Sequence, residues 1–357
     1  MSKKLKQIRQ KIDQLDKEII KLLNSRADLA KQVKIEKDNL GDLNIFKPER
    51  ESQILRNLPN QNKGPLSENH LYIIFREIMS ACLSLETKLS VTCLGPEMSY
   101  SHLALIRYFG SAVKTIYSSS IKDIFSDVDN VRTDYGIVPI ENSNQGSIKE
   151  TLDYLISSDV SICGEVNLGV KHCLLSHSKK LSGIKTIYAH EQTFRQCSNW
   201  IEKNFPHVKL KPVGSNSLAV KKVNKLPNCA AIASEYCSLF YSVPLLKRNI
   251  QDFSGNSTRF IVIGKKSVAS SGKDKTTILI SLHNTSGSLV KLLKPLSDNR
   301  ISMSKIESMP TKVNNWEYMF VIDIDGHSSD KKLGKALTEI EKNCIFFKNL
   351  GSYPANS

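Results

Sequence analysis

Two clusters of polar side chains in this sequence have the composition of sites for chemistry. The first consists of four residues directly before the β-forming run FIVIG: Asn256, Ser257, Thr258 and Arg259. Turn formation accounts for the asparagine and the serine, but not for Thr258 and Arg259 at the mouth of a strand. A threonine hydroxyl can hydrogen-bond a substrate hydroxyl, and a guanidinium can hold a carboxylate through two hydrogen bonds.

The second candidate is Arg26, a cation on an otherwise apolar helical stripe. Apolar residues in alternating steps of three and four predict one long helix over residues 3 to about 38: Leu5, Ile8, Ile12, Leu15, Ile19, Leu22, Leu29 and Val33. Arg26 stands at the seam position between Leu22 and Leu29. It either fixes the register of a coiled coil or is a buried cation awaiting an anion, because an unpaired buried charge is costly.

Helix geometry separates the cations of this segment into two groups. Lys37 lies about 16 Å beyond Arg26 on nearly the same face, so that both side chains can converge on one ligand. Arg9 lies about 25 Å away in the other direction and roughly 100° around the helix, too far to join easily within one chain. Two such helices that pair antiparallel would bring Arg9 to the site of a partner subunit.

The elements that position these residues fall into three segments. The segments FKPERESQILRNL and LSENHLYIIFREIMSACLSLE predict two more helices, so residues 1–90 are expected to be all-helical. From Leu89 the pattern changes to strand, loop and helix, with Ser99 and Ser101 near one helix start, where free N–H groups suit an anion. After a linker at 267–275, the order β-α-β-β-α-β predicts a ferredoxin-like unit.

Composition narrows the class of protein. The chain has 357 residues, a net charge of +15, and lysines spread along its whole length without interleaved aromatic residues, which disfavours nucleic acid as a partner. No apolar run reaches membrane-spanning length, and the charged N-terminus lacks the apolar core of a signal peptide. The eight cysteines form no CxxC pair and the histidines no metal-ligand spacing, so we expect a cytoplasmic protein without a metal or other cofactor.

The N-terminal segment resembles the small all-helical chorismate mutases. The resemblance rests on IRQKIDQLDKEIIKLLNSRADLAKQV, KPERE and FREIMSACLSLE. It implies an intertwined dimer that binds chorismate, with these site residues: Arg9, Arg26, Lys37, Arg50, Glu51, Cys82 and Glu86. Some members have aspartate in place of Lys47, serine in place of Cys82 and glutamine in place of Glu86. A carboxyl group at the last position must be protonated to donate to the ether oxygen of chorismate.

The middle segment, 91–266, resembles prephenate dehydratase through four motifs. They are CLGPEMSYSH, GIVPIENSNQGS, AHEQTFRQ and NSTRF. The resemblance implies a periplasmic-binding-protein-like fold of two α/β lobes, with prephenate in the cleft among these residues: Glu141, Asn142, Ser143, Gln196, Thr258 and Arg259. The proton donor for the departing hydroxyl stays open between Glu141 and a relay through Thr258. Met98 and Ala189 replace the glycine and serine that are common in the family.

The last segment, 275–357, resembles the phenylalanine-binding ACT domain through GSLV and ESMP. The resemblance implies that L-phenylalanine binds as an inhibitor, across a dimer interface, at Gly287, Leu289, Glu307 and Ser308. Met309 replaces a frequent arginine there. The three resemblances together indicate a bifunctional enzyme of phenylalanine biosynthesis that acts as a homodimer or a larger homo-oligomer.

Two alternatives remain at this stage. The chain could be a noncatalytic amino-acid sensor that is dimerised by a coiled coil, although such a sensor has no need of Thr258 or Arg26. It could instead be a dehydratase whose helices serve only for dimerisation, for which Lys47 and Glu86 are the hints.

Overall fold

The structure, a computed structural model, describes residues 2–41, 44, 46–282, 285–310 and 318–355. It confirms the predicted fold class of an all-helical module, a two-lobed α/β unit and a ferredoxin-like unit. The helical module contains α1 Lys3–Asn39, α2 Pro48–Gln61 and α3 Glu68–Glu86. Pro48 begins α2, and the Ser67 side chain accepts a hydrogen bond from the backbone N–H of His70 at the start of α3.

The long helix α1 has no buried residue within this single chain. Its seam side chains all face solvent, with Leu22 as much as 69% exposed. Few helices of a folded monomer present an uncovered apolar stripe of this length, because most helical stability in proteins comes from packing one apolar face.

The first lobe is a sheet with strand order β2-β1-β3-β11-β5, and β4 pairs with β3. Its elements are β1 Ser90–Leu94, α4 Tyr100–Phe109, β2 Lys114–Ser118, α5 Ile121–Asp129, β3 Tyr135–Asn142, β4 Gly146–Ser147, α6 Lys149–Ser157, β5 Ser161–Gly169 and, after the second lobe, β11 Ser257–Gly264. Strand β11 runs antiparallel between β3 and β5, so the polar start of β11 meets the ends of both neighbours.

The second lobe is a sheet with strand order β10-β6-β9-β7-β8. Its elements are β6 Cys173–Leu175, β7 Thr186–Ala189, α7 Glu191–Gln196, α8 Ser198–Asn204, β8 Lys209–Pro212, α9 Asn216–Val223, β9 Cys229–Ala233, α10 Glu235–Tyr241 and β10 Leu245–Lys247. The chain therefore crosses between the lobes twice, from β5 to β6 and from β10 back to β11. The cleft between the lobes has these two crossings at its base.

The C-terminal unit has the predicted ferredoxin-like order. Its elements are β12 Asp274–Ser281, α11 Ser288–Asp298, β13 Met303–Pro310, β14 Tyr318–Asp325, α12 Lys331–Lys342 and β15 Phe346–Pro354, and the sheet order is β13-β14-β12-β15. One face of this sheet packs on α11 and α12 through side chains such as Ile280 and Leu337.

The first lobe is packed between the other two units. On one face of its sheet, Phe260 and Val262 join a core that includes Leu83 of α3. On the other face, Ile261 joins a core that includes Met309 and Tyr353 of the C-terminal unit. Met309, which stands where an arginine is frequent, is thus an apolar contact between two units.

In the parts of the chain that the structure describes, every helix is too short or too polar to cross a membrane.

Candidate active sites

The helical module brings together four of the residues predicted for a mutase site: Arg26, Lys37, Glu51 and Glu86. Lys37 Nζ lies 3.9 Å from Glu86 Oε2, and this oxygen is buried without a hydrogen-bond partner among the described residues. Burial raises the pKa of Glu86, while Lys37, Arg26 and Lys34 oppose the rise. The predicted convergence of Arg26 and Lys37 therefore surrounds a carboxyl group with an open hydrogen-bonding position.

Glu51 has a partner that the sequence did not reveal. Its Oε2 accepts a hydrogen bond of 2.5 Å from Arg76, a buried residue of α3 whose guanidinium also lies over the Tyr108 ring of α4. Burial raises the pKa of Glu51, Arg76 and Arg26 lower it, and Glu86 raises it further. The only sign of Arg76 in the sequence is a charge inside the apolar stripe of α3.

The remaining predicted mutase residues occupy different surroundings. Cys82 is buried on α3, one turn before Glu86. Arg50 is exposed on α2, next to Glu51. Arg9 lies on the same uninterrupted helix as Arg26, 17 residues earlier and therefore about 25 Å away along the axis. Within one chain, the helix keeps Arg9 away from the other cations.

The cleft between the two α/β lobes holds a cavity of about 320 Å³. Of the residues predicted for a dehydratase site, Asn142, Gln196 and Thr258 line it. Ser143 is exposed beside it, where its Oγ accepts a hydrogen bond of 3.0 Å from the backbone N–H of Ser257. Ser143 thus helps to hold the start of β11 in place.

Thr258 is buried and oriented by Asn142. The Asn142 side-chain amide donates a hydrogen bond of 2.9 Å to Thr258 Oγ1 and another of 3.1 Å to Asn256 Oδ1. Because Oγ1 acts as the acceptor in its bond to Asn142, the threonine hydroxyl keeps its own hydrogen for another acceptor. The polar cluster at 256–258 therefore presents an O–H donor to the cavity.

Helix N-termini surround this cavity. The residues that precede α4, α7, α9 and α10 all line it: Ser99, His190, Ser215 and Ser234. Free backbone N–H groups and the helix dipole favour anions at such positions. Lysine and arginine are missing from the described residues that line the cavity. Carboxylates in this cleft would be bound by neutral donors.

Glu141 and Arg259 lie elsewhere than the cleft expected for them. Arg259 Nε is 2.8 Å from Glu165, one terminal nitrogen is 2.5 Å from Asp323, and the other donates to Tyr353 Oη at 3.0 Å. Glu141 lies 2.9 Å from Lys305 Nζ. The reason is the two-residue period of a strand, which points successive side chains to opposite faces. Arg259 and Glu141 therefore face the C-terminal unit, and Glu141 is not in place to protonate a ligand in the cleft.

Met98 lines the cavity in an uncommon backbone conformation. Its φ is 62°, the left-handed region that costs a residue with a Cβ roughly 1–2 kcal/mol. This conformation explains why glycine is favoured at the position in the family that the sequence resembles. The strained turn places the Met98 N–H 3.0 Å from His102 Nδ1, which fixes the start of α4.

His172 is a lining residue that the sequence analysis did not single out. It is buried, and its Nε2 lies 2.7 Å from Gln196 Oε1. Burial lowers the pKa of His172, and the hydrogen bond to Gln196 opposes this shift. The motif VKHCLLS offers no spacing that marks this histidine, because its partner Gln196 lies 24 residues away in the sequence.

The predicted effector residues lie on two elements of the C-terminal unit. Gly287, with a φ of 82°, precedes α11, and Leu289 is in its first turn. Glu307 and Ser308 lie on the edge strand β13. Glu307 pairs with Lys305 at 3.0 Å and accepts a hydrogen bond from Ser147 of the first lobe.

Comparison with known proteins finds three protein families along the chain. The family models described as chorismate mutase type II, prephenate dehydratase and ACT domain match residues 8–87, 91–268 and 276–342. A bifunctional chorismate mutase/prephenate dehydratase of Aquifex aeolicus is 40% identical over 354 residues, which cover 98% of each chain. One from Pseudomonas aeruginosa is 38% identical over 355 residues, 98% of this chain and 97% of its own.

A solved structure of a prephenate dehydratase has a similar fold. The prephenate dehydratase of Arthrobacter aurescens in complex with L-Phe has a TM-score of 0.67 and 28% sequence identity, and the match covers 75% of this chain and 90% of that one. Fold and sites define an enzyme in which a helical mutase module precedes a two-lobed dehydratase and a regulatory ACT domain. The chain belongs to the family of bifunctional chorismate mutase/prephenate dehydratases, which favours an enzyme over a noncatalytic sensor.

The raised pKa of Glu86 predicts how the mutase rate depends on pH. Only the protonated carboxyl donates a hydrogen bond, so its contribution is complete below that pKa and is lost as pH rises through it. We expect the mutase rate to fall by up to about tenfold per pH unit above this point. Steady-state rates with chorismate at about pH 5 to pH 9 would measure the profile.

Two variants give this measurement its controls. Glu86→Gln supplies a donor at every pH, so its profile should be nearly flat. Glu68→Gln changes an exposed glutamate of the same helix and should keep the wild-type slope. A wild-type profile as flat as that of Glu86→Gln would contradict the role of a protonated Glu86.

Proposed function

We propose that the chain rearranges chorismate to prephenate in its helical module and converts prephenate to phenylpyruvate in the cleft between its lobes. The observation that carries this proposal is the presence of two separate polar sites in one chain. One surrounds Glu86 with cations, and the other holds Thr258 and Asn142 in a cavity lined by helix N-termini.

The first site suits a reaction that needs no covalent catalyst. Chorismate is a dianion whose rearrangement is a concerted shift, so the protein must hold the reactive conformer and stabilise negative charge on the ether oxygen. Arg26 and Lys37 would bind the substrate, with Arg50 and Glu51 from α2 completing the pocket. The unpartnered oxygen of Glu86, when protonated, would donate to the ether oxygen.

The second site suits the loss of carbon dioxide and a hydroxyl group. Aromatisation of the ring drives this step, so the protein must mainly help the hydroxyl to depart and bind two carboxylates. The Thr258 hydroxyl, whose oxygen accepts from Asn142, would donate its hydrogen to the departing oxygen. Of the two routes that the sequence left open for the proton, this geometry favours the relay through Thr258. The four helix N-termini would take the place in carboxylate binding that the sequence analysis gave to Arg259.

Removal of the Thr258 hydroxyl should separate the two reactions. With chorismate as the only substrate, the wild-type protein should form prephenate and then phenylpyruvate. Thr258→Ala should form prephenate at the wild-type rate and accumulate it, with the second step slowed about 100-fold or more. Chromatographic quantification of all three compounds over time measures both steps.

Thr258→Ser is the matched variant, because it keeps the hydroxyl and removes only a methyl group. It should retain most of the dehydratase rate. Thr258→Ala with a dehydratase rate near that of the wild type would refute the assignment, and persistence of chorismate in the wild type would refute the mutase reaction.

We infer further that the mutase site is complete only in a homodimer. The uncovered seam of α1 offers a surface for a second copy, and the 17-residue separation of Arg9 from Arg26 lets Arg9 reach the partner's site if two such helices pair antiparallel. Such an arrangement also suits the symmetry of homodimers, in which one surface serves on both subunits.

Complementation tests this arrangement without disturbing the fold. Arg9→Ala and Arg26→Ala should each lose nearly all mutase activity, since each removes one cation from every site. A mixture refolded or co-expressed from both variants should recover roughly a quarter of the wild-type activity, because half of the dimers are mixed and each contains one intact site. A mixture as inactive as its components would place Arg9 and Arg26 in the same chain's site. Dehydratase activity of the same samples serves as the control for folding.

The ACT domain would bind L-phenylalanine and inhibit the dehydratase, as the resemblance to phenylalanine-binding domains implies. Gly287 and Leu289 on α11, with Glu307 and Ser308 on the edge strand β13, are the proposed effector residues, most simply shared across an ACT dimer. One path from this site to the cleft is short. Lys305 bridges Glu307 to Glu141, and Glu141 is the neighbour of Asn142.

The Lys305 bridge predicts an effect on inhibition that is separable from binding. Lys305→Gln should still bind phenylalanine. In the wild type, occupation of the cleft should change the affinity for phenylalanine, and in Lys305→Gln this change should be smaller by a factor of about five or more. Calorimetric titration with phenylalanine, with and without a nonreactive prephenate analogue, measures this coupling. Lys294→Gln, on an exposed pair of the same domain, should keep the wild-type coupling. Unchanged coupling in Lys305→Gln would exclude the bridge as the path.

A cytoplasmic location is part of the same proposal. All eight cysteines are free thiols in the structure, and six of them are buried. Burial raises the pKa of thiols such as Cys93, which keeps them unreactive. Small buried thiols of this kind suit a reducing compartment.

A further inference from the structure

His172 occupies the base of the dehydratase cleft, where the chain crosses from the first lobe to the second. Its backbone N–H donates a hydrogen bond of 3.0 Å to Gln251 Oε1, and its carbonyl accepts one of 2.9 Å from Ile250. Both partners belong to the returning crossing. The backbone of His172 is therefore fixed between the two crossings, and the residue lines the cavity while being only 1% exposed.

The two ring nitrogens of His172 differ in their surroundings. Nε2 lies 2.7 Å from Gln196 Oε1, and since an amide oxygen can only accept, Nε2 carries a hydrogen. Burial lowers the pKa of His172, so the ring is neutral and Nδ1 is an acceptor. This Nδ1 is buried and lacks a hydrogen-bond partner among the described residues. A buried polar atom without a partner, on a residue that lines a ligand cavity, is a position that the ligand can satisfy.

The chemistry of prephenate limits what can pair with this nitrogen. The two carboxylates and the ketone of the dianion only accept hydrogen bonds. Its one donor is the hydroxyl on the ring, the group that leaves during the reaction. A neutral Nδ1 can therefore pair with this hydroxyl and with no other part of the substrate.

We propose that His172 Nδ1 accepts a hydrogen bond from the ring hydroxyl that prephenate loses, and that His172 thereby selects substrates carrying this hydroxyl. The inference rests on the proposed function of the cleft as the prephenate site. It completes the surroundings of the leaving oxygen, since this oxygen donates to His172 and accepts from Thr258. The carbon–oxygen bond then breaks while the electrons of the bond to the departing carboxylate form the aromatic ring. The oxygen leaves as water with the hydrogen of the Thr258 hydroxyl, and a water molecule of the solvent returns a proton to Thr258.

The test uses two ring-saturated analogues of prephenate that differ only in the ring hydroxyl and cannot aromatise. Their affinities for the full-length protein are measured by calorimetry. The wild type should bind the hydroxylated analogue at least about tenfold more tightly than the deoxy analogue. His172→Gln keeps an amide nitrogen near the position of Nε2, where it can donate to Gln196, and has no acceptor at the position of Nδ1. This variant should bind the two analogues with less than about threefold difference.

A second variant separates recognition from folding. His327→Gln changes another buried histidine, which belongs to the ACT domain. Its Nδ1 is already bonded to Ser329 and its Nε2 to the backbone oxygen of Val268 in the preceding linker. This variant should keep the wild-type preference for the hydroxylated analogue, whatever its effect on stability.

The possible outcomes are distinct. If His172→Gln weakens the binding of both analogues equally, His172 has a structural role and the inference is overturned. A wild-type protein that turns over prephenate but binds both analogues alike would overturn the inference and leave the proposed function intact. Binding of neither analogue, together with no turnover of prephenate, would overturn the proposed function itself.

Discussion

The guanidinium of Arg259 is the interaction on which the arrangement of the dehydratase and ACT units depends. It is enclosed by Glu165 of the first lobe and by Asp323 and Tyr353 of the ACT domain. Burial alone would lower the pKa of Arg259, but its three partners raise that pKa above its usual value. Removal of one partner from a buried ion pair typically costs about 3–5 kcal/mol, because the remaining charge is left uncompensated. Separation of the first lobe from the ACT domain would leave Arg259 without some of its partners and incur this cost. We therefore expect the first lobe and the ACT domain to move as one body.

This use of Arg259 changes how the cleft must recognise its substrate. Strand β11 turns Thr258 toward the cavity and Arg259 toward the ACT domain, so one short segment contributes both to the lining of the cavity and to the contact with the ACT domain. Because the described residues that line the cavity include neither lysine nor arginine, binding of a dianion there would rely on backbone N–H groups and hydroxyls at helix starts. These N–H groups and hydroxyls are held in place by the helices at whose starts they lie. Because they are neutral, no counterion competes with the substrate for them. Burial lowers the pKa of His172 and so favours its uncharged ring, in which Nδ1 can accept a hydrogen bond.

Much of the fold could be predicted from periodicity, and the limits of that prediction have physical causes. The heptad seam predicted α1, and the change to short apolar runs predicted the start of the α/β unit near Leu89, because both patterns follow directly from helix and strand geometry. The same two-residue period implies that adjacent residues of a strand face opposite sides. Family resemblance placed both Thr258 and Arg259 in the cleft, and the strand period alone would have separated them. Arg76 and His172 were missed because each is defined by a partner about 24 residues or more away in the sequence.

Each of the two proposed sites lies next to a place where parts of the protein are joined or can be joined. The dehydratase cavity lies at the two crossings between lobes, and the proposed mutase site lies on a helix whose apolar seam is uncovered in one chain. A seam residue such as Leu22 and the cation Arg26 share one face of α1, so a partner that buries the seam must also enclose the cation. An enclosed cation without an anion is costly, and a dianionic substrate removes this cost. Substrate binding and subunit association would therefore stabilise each other, since both satisfy the same charge on the same helix face.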